Sequence, residues 1–250
     1  MPIGDLGNLF TGSPFLRESA AVERRSGGGR GALRERHDRA ATAVRAAARD
    51  GDGAALTDAT RRLEEILAGA RRDLGPADAD TLVVEGSLAV AYLLGDDETR
   101  GLALAARAEQ RREQVFGPDH PITLAAADAL AAAHRVTGRP EEAVRRYEDV
   151  LTRRARVLGD AHPDTLTSRT GLALARADDG DLRGAVGLLA ATAGTAQRVL
   201  APDHPVLRTI TALLTECRAA LADAQRASDP RELTAPMFFE WPTGRLPALP

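Results

Sequence analysis

Residues 117–124 read GPDHPITL, and near-copies begin at Gly75 (GPADADTL), Gly159 (GDAHPDTL) and Ala201 (APDHPVLR). Each copy starts 42 residues after the one before it. Other positions keep the same step: Leu82, Leu124 and Leu166; Leu88, Leu130 and Leu172; Ala89, Ala131 and Ala173. Self-similarity at a fixed period of this size marks a solenoid, because one such unit cannot bury its apolar face alone and must stack on its neighbours.

The unit 117–158 shows what is stacked. An apolar-periodic run from Ile122 to Val136 stops at Thr137-Gly138, where glycine can take the left-handed conformation that ends a helix. Pro140 opens a second run, with Glu141 and Glu142 in its first turn and Ala143, Tyr147, Val150 and Leu151 as its apolar stripe. Each unit is therefore a helical hairpin. A degenerate earlier unit is legible too, since Ala59, Leu63, Glu64, Leu67 and Leu74-Gly75 precede Ala143, Tyr147, Glu148, Leu151 and Leu158-Gly159 by two periods. Its first helix is expected over about 32–50, and residues 205–226 supply a first helix with no partner after it. The expectation is an all-α domain over 32–227, four hairpins and a C-terminal capping helix. A disordered segment, 1–31, is expected before it and a Pro/aromatic tail, 228–250, after it.

Composition agrees. Alanine and leucine dominate a hydrophobic content of 44%, aromatics are only 3%, and strong helix formers outnumber β-branched residues. The formal charge of −3 comes from 33 basic and 36 acidic residues mixed along the chain, so neither nucleic acid nor an anionic membrane is expected as partner. Every basic residue is arginine, which points to a high-GC bacterial, actinobacterial genome and to nothing about function. The N-terminus shows no secretory signal and no run approaches the ~20 apolar residues of a membrane span, so a cytoplasmic location is expected. The one cysteine, Cys217, lies in an apolar helical stretch and reads as a buried, inert thiol.

The unit resembles the tetratricopeptide repeat in its 42-residue form, as in kinesin light chains and many bacterial proteins. VFGPDHPITL, GRPEEAVRRYEDVL, RRARVLGDAHPDTL and LAPDHP carry the resemblance, which covers about 54–226. It implies a right-handed superhelix whose first helices line a concave groove, and a role in holding proteins or peptides.

Three of the five histidines, His120, His162 and His204, recur in the quoted motif. Metal ligands stand within ~2 Å of one ion, whereas equivalent positions in stacked hairpins lie roughly 10 Å apart. These imidazoles are expected to be punctuation, with Asp119 or His120 capping the helix and Pro121 in its first turn. His134 takes the slot of Tyr92 and Arg176 and reads as a packing position; His37 falls near the disordered entry. With no lysine, P-loop and Schiff-base chemistry are excluded. SGGGRG (26–31) follows no strand and reads as a flexible linker. The acidic pairs fall on helix starts, turns and solvated faces. No catalytic, cofactor or metal site is expected.

The groove follows from helical geometry. With Thr81, Thr123 and Thr165 as slot 1, the side opposite the core lies near slots 3, 7, 10, 11 and 14. Those are Val83, Ser87, Val90, Ala91 and Leu94, then Ala125, Ala129, Ala132, Ala133 and Val136, then Thr167, Gly171, Leu174, Ala175 and Asp178. The resemblance places asparagine at slot 7, where Ser87, Ala129 and Gly171 stand here, so an extended-peptide clamp is not expected. The small, apolar trough suits an amphipathic helix, an aromatic-bearing peptide or a second copy of the chain, with Arg169 and Arg176 as flanking steering charges. In a tighter superhelix the same small residues merely pack helix on helix. The tail TAPMFFEWPTGRLPALP offers Phe238, Phe239 and Trp241 as an occupant of this groove, as a motif for a partner, or as a lid on the last helix. LFTGSPFL (9–16) reads as a short partner-binding patch. The functional expectation is a non-enzymatic scaffold or adaptor, with a regulatory protein of a bacterial signalling or biosynthetic cluster as the alternative.

Overall fold

The computed structural model describes residues 28–227, and among them it has nine helices and no strand. They are α1 (Gly28–Asp50), α2 (Gly53–Asp73), α3 (Ala79–Leu94), α4 (Glu98–Phe116), α5 (Pro121–Val136), α6 (Pro140–Leu158), α7 (Pro163–Asp178), α8 (Leu182–Val199) and α9 (Pro205–Ala227). Each helix packs on the next, giving hairpins α1–α2, α3–α4, α5–α6 and α7–α8, with α9 laid on α8 as a single closing helix. This is the expected solenoid. Successive first helices also touch one another, whereas no pair of successive second helices does so to a comparable extent. The stack is therefore tighter along its first helices and concave on that side.

The quoted motif starts each first helix. The Nδ1 of His120 accepts from the backbone N–H of Ile122 at 3.2 Å, that of His162 from Asp164 at 3.1 Å, and that of His204 from Val206 at 3.2 Å. Of the two candidate caps it is thus the imidazole, not Asp119, that satisfies an orphan amide. In the first copy Asp78 holds the histidine slot and accepts from Asp80 N–H at 3.0 Å. A carboxylate oxygen does there what Nδ1 does in the later copies.

The first helix begins at Gly28, four residues before the expected start at 32. Arg30 reaches Asp78 at 2.9 Å and Arg34 reaches Asp80 at 2.8 Å, so ion pairs to α3 hold the first turn in place although glycine disfavours helix. Part of the anticipated SGGGRG linker is helix for this reason.

Buried apolar side chains form two contiguous groups, one running from α1 to α7 and one from α7 to α9, and Leu188 packs against both. Cys217 is buried in the second. The outer faces of the two terminal helices are polar: Glu35, Arg36, Asp38 and Arg39 on α1, and Arg208, Thr209, Thr215 and Glu216 on α9, are exposed.

Inside the hairpins the turn uses one left-handed residue, at φ 60° in Asp96, 69° in Gly138 and 93° in Gly180. Only the first of these carries a Cβ, which the left-handed region penalises. Asp96→Gly should therefore stabilise the protein by about 0.5–1 kcal/mol, read as a higher midpoint in urea unfolding with an unchanged slope.

Candidate protein-binding face

The concave side is shallower than the sequence suggests. Of the fifteen slots assigned to the groove, Val83, Val90 and Leu94 on α3, Ala129 and Val136 on α5, and Thr167 and Asp178 on α7 are partly exposed. Ser87, Ala91, Ala125, Ala132, Ala133, Gly171, Leu174 and Ala175 are buried. The helical wheel assumed one core face, but each internal first helix packs against two second helices, its own and that of the preceding hairpin. The arc opposite the hairpin partner is in part the arc that the previous second helix covers.

Slot 7 shows this three times over. Ser87 faces the preceding first helix, with its Oγ 2.9 Å from Nε2 of His37 on α1. Ala129 lines a cavity of about 10 Å³, together with Val90, Ala89 and Leu93 of α3 and Ala105 and Ala108 of α4. That space is about one water across and its lining is apolar. Gly171 lies under the ring of Tyr147, and a Cβ built there would stand 2.4 Å from Cε1. Ser87 and Gly171 are thus covered and Ala129 carries no polar group, so this row offers no polar clamp.

The two steering arginines are engaged within the chain. Arg169 pairs with Asp160 at 2.9 Å, and Arg176 with Glu148 on the preceding second helix at 3.0 Å. The latter is a repeated joint, because Tyr92 donates to Glu64 at 2.6 Å from the same two slots one pair of hairpins earlier. Asp178 is held by Arg135 of α5 at 2.7 Å. What remains open is a ledge of Val83, Val90, Leu94, Ala129 and Val136, apolar and uncharged.

Buried polar joints that sequence reasoning missed tie the hairpins to one another. Glu85 on α3 is fully buried and accepts from Arg71 of α2 at 2.7 Å and Arg111 of α4 at 2.9 Å. Arg154 on α6 donates to the Asp164 carbonyl and to Ser168 Oγ, each at 2.7 Å, and Ser168 in turn donates to Asp128 Oδ1 at 2.5 Å. One arginine thus joins α5, α6 and α7. Arg112 takes the same repeat slot and donates to the Leu82 carbonyl at 2.7 Å. Nothing in one unit read alone reveals such joints, since each partner sits in a different hairpin.

His37 belongs to this set. It is buried rather than at a disordered entry, and its spacing to Ala40, Ala41 and Val44 is the signal that puts it on the buried stripe. Burial lowers its pKa, Arg45 acts in the same direction, and Asp38 and Asp80 oppose them. His134 is half-buried, its pKa also lowered chiefly by burial. His120, His162 and His204 act separately, and among the described residues no group of three or more His, Cys, Asp or Glu is placed to hold a metal ion. No helix among them is long and apolar enough to cross a membrane. Phe238, Phe239 and Trp241 lie outside the described residues.

The stacked hairpins, the capping motif and the 42-residue step now meet independent comparisons. The tetratricopeptide repeat family model matches residues 123–164 and 165–206 in succession. Among solved structures, the chain is similar to the nearly identical TPR-like repeats of a Podosopora anserina protein assigned as a kinesin light chain. The identity is 26% over 80% of this chain and 92% of that one, with a TM-score of 0.61. A single-substitution variant of the same protein matches with 25% identity over 83% and 95%, TM-score 0.62. Residues 123–206 match the tetratricopeptide repeat, and the described solenoid is similar in fold to repeats of the kinesin-light-chain type. No curated protein sequence matches the chain. Tetratricopeptide repeats are in general scaffolds for protein–protein contact, and the fold of this chain suggests that role.

Two outcomes follow from the packing. The folded-state pKa of His37 is depressed, so its contribution is present above its ordinary pKa near 6.5 and is lost as the pH falls below it. Amide protection factors in α1, which are corrected for the intrinsic pH dependence of exchange, should fall as the pH is lowered below about 6.5, and His37→Gln should remove most of that dependence. Gly171→Ala should lower stability by roughly 1–3 kcal/mol through the clash with Tyr147, against a gain in helix propensity of under about 1 kcal/mol. Thermal unfolding decides it: an unchanged or raised Tm would show that the ring can move aside.

Proposed function

We propose that the protein is a non-catalytic scaffold that holds an amphipathic helix or an aromatic-bearing peptide against its first-helix face. The ledge of Val83, Val90, Leu94, Ala129 and Val136 carries this reading, because its partly exposed positions are all apolar and come from the first helices of two successive hairpins. A shallow ledge suits a ligand that lies flat and contributes its own large side chains. The filled slot-7 row argues against recognition through the peptide backbone, and the engaged arginines argue against recognition of a carboxylate. The tail residues Phe238, Phe239 and Trp241 have the chemistry such a ledge accepts, and we assign them the same face, occupied in the chain's own solenoid until a partner displaces them.

A displayed library of random peptides selected against the protein provides the test. Sequences with apolar or aromatic residues at helical spacing should be enriched. Val90→Glu combined with Val136→Glu should weaken their binding at least tenfold without changing the far-UV circular dichroism. Deleting 229–250 should tighten binding severalfold. Equal affinity in the double-glutamate variant would remove the ledge as the site, and equal affinity after deletion would remove the tail as its occupant.

A further inference from the structure

All three large hydrophobic side chains that stand exposed among the described residues occupy one slot of the repeat: Val115 at 44%, Val157 at 43% and Val199 at 51% exposure. They are 42 residues apart and end the second helices α4, α6 and α8. The corresponding slot of the first hairpin is Asp73, ion-paired with Arg72, so the apolar row begins at the second hairpin. Scattered surface hydrophobics are ordinary, but three in register with none elsewhere make a stripe. It runs along the edge where second helices end and first helices begin, apart from the ledge described above.

The start of α1 lies on that same edge. Arg30 and Arg34, in its first two turns, contact Asp78 and Asp80 at the start of α3. The chain preceding α1 therefore enters beside the stripe. It carries LFTGSPFL at 9–16, with apolar pairs Leu9-Phe10 and Phe15-Leu16 at its two ends. Residues 17–27 supply a tether of up to about 36 Å, and residues 9–16 extended span about 26 Å. Neighbouring second helices both pack on the first helix between them at 8–10 Å, which puts consecutive valines about 10–20 Å apart. The row from Val115 to Val199 is then about 20–40 Å long, a range that includes the extended span of that segment. The C-terminal tail leaves α9 at the opposite edge, about 34 Å along a 23-residue helix, whereas the chain before α1 enters beside the row.

We propose that residues 9–16 dock in extended form across Val115, Val157 and Val199, with Phe15 nearest Val115 and Phe10 toward Val199. The segment is a strap joining three hairpins along their outer edge, and it covers the three most exposed large hydrophobic side chains among the described residues.

Paired cysteines in the full chain test the assignment. Cys217 stays in place because it is buried and burial raises its thiol pKa, which keeps it unreactive. Phe15→Cys with Val115→Cys, and Phe10→Cys with Val199→Cys, should form intrachain disulfides under mild oxidation at least tenfold faster than Phe15→Cys with Arg183→Cys, whose second thiol lies on the opposite edge. The rate should not depend on protein concentration. Rates equal to the control would overturn the proposal, as would a concentration-dependent disulfide between chains, which would assign the row to a second copy. Independently, Val115→Gln, Val157→Gln and Val199→Gln together should make cleavage within residues 1–27 severalfold faster in limited proteolysis. An unchanged rate sinks the strap.

Discussion

Each internal first helix of this solenoid is packed by two second helices, its own hairpin partner and the last helix of the hairpin before it. That double burial selects the composition of α3, α5 and α7, which are built largely of alanine, leucine, glycine and small hydroxyl residues. A large side chain on either packed arc would separate the hairpins. The same constraint sets the curvature, because small first helices approach one another while the bulkier, arginine-rich second helices stay apart. It also leaves the concave side a ledge instead of a cleft, and so decides what kind of ligand the face can hold.

Departures from the repeat are the informative positions, and two of the three below have a partner outside their own unit. Gly101 stands where the later units have Ala143 and Ala185, and a Cβ there would meet the Leu93 side chain at 2.6 Å. Gly171 makes room for Tyr147 of the previous hairpin. The first copy of the capping motif has Asp78-Ala79 for the His-Pro pair, and Asp78 with the nearby Asp80 receives Arg30 and Arg34 from α1. In these last two cases a neighbour, and not the unit itself, fixes the environment.

Hence the uneven legibility of the sequence. The period, the hairpins, the closing helix and the punctuating role of the motif histidines are local properties, written in spacing and in residues such as Pro121, Gly138 and Pro140 that act on their own backbone. The ledge was half legible. Val83, Val90, Leu94, Ala129 and Val136 lie where the helical wheel put them, whereas Ser87, Ala91, Ala133, Gly171 and Leu174 are covered by a neighbouring hairpin that a wheel drawn for one helix cannot include. Glu85 and Arg154 carry no sequence signal of burial for the same reason, since their burial comes from three helices meeting. The valine row was in plain sight as a period but has meaning only once exposure is known.

The polar outer faces of α1 and α9 carry a further consequence. A stack of near-identical units has no internal reason to stop, because the top of one hairpin is complementary to the bottom of the next. Here growth is terminated chemically, much as a one-dimensional crystal is passivated by ions adsorbed on its end faces: Glu35, Arg36, Asp38 and Arg39 at one end and Arg208, Thr209 and Glu216 at the other offer a neighbouring hairpin no apolar surface. Among the described residues, the two end helices belong to the repeat in shape but not in surface.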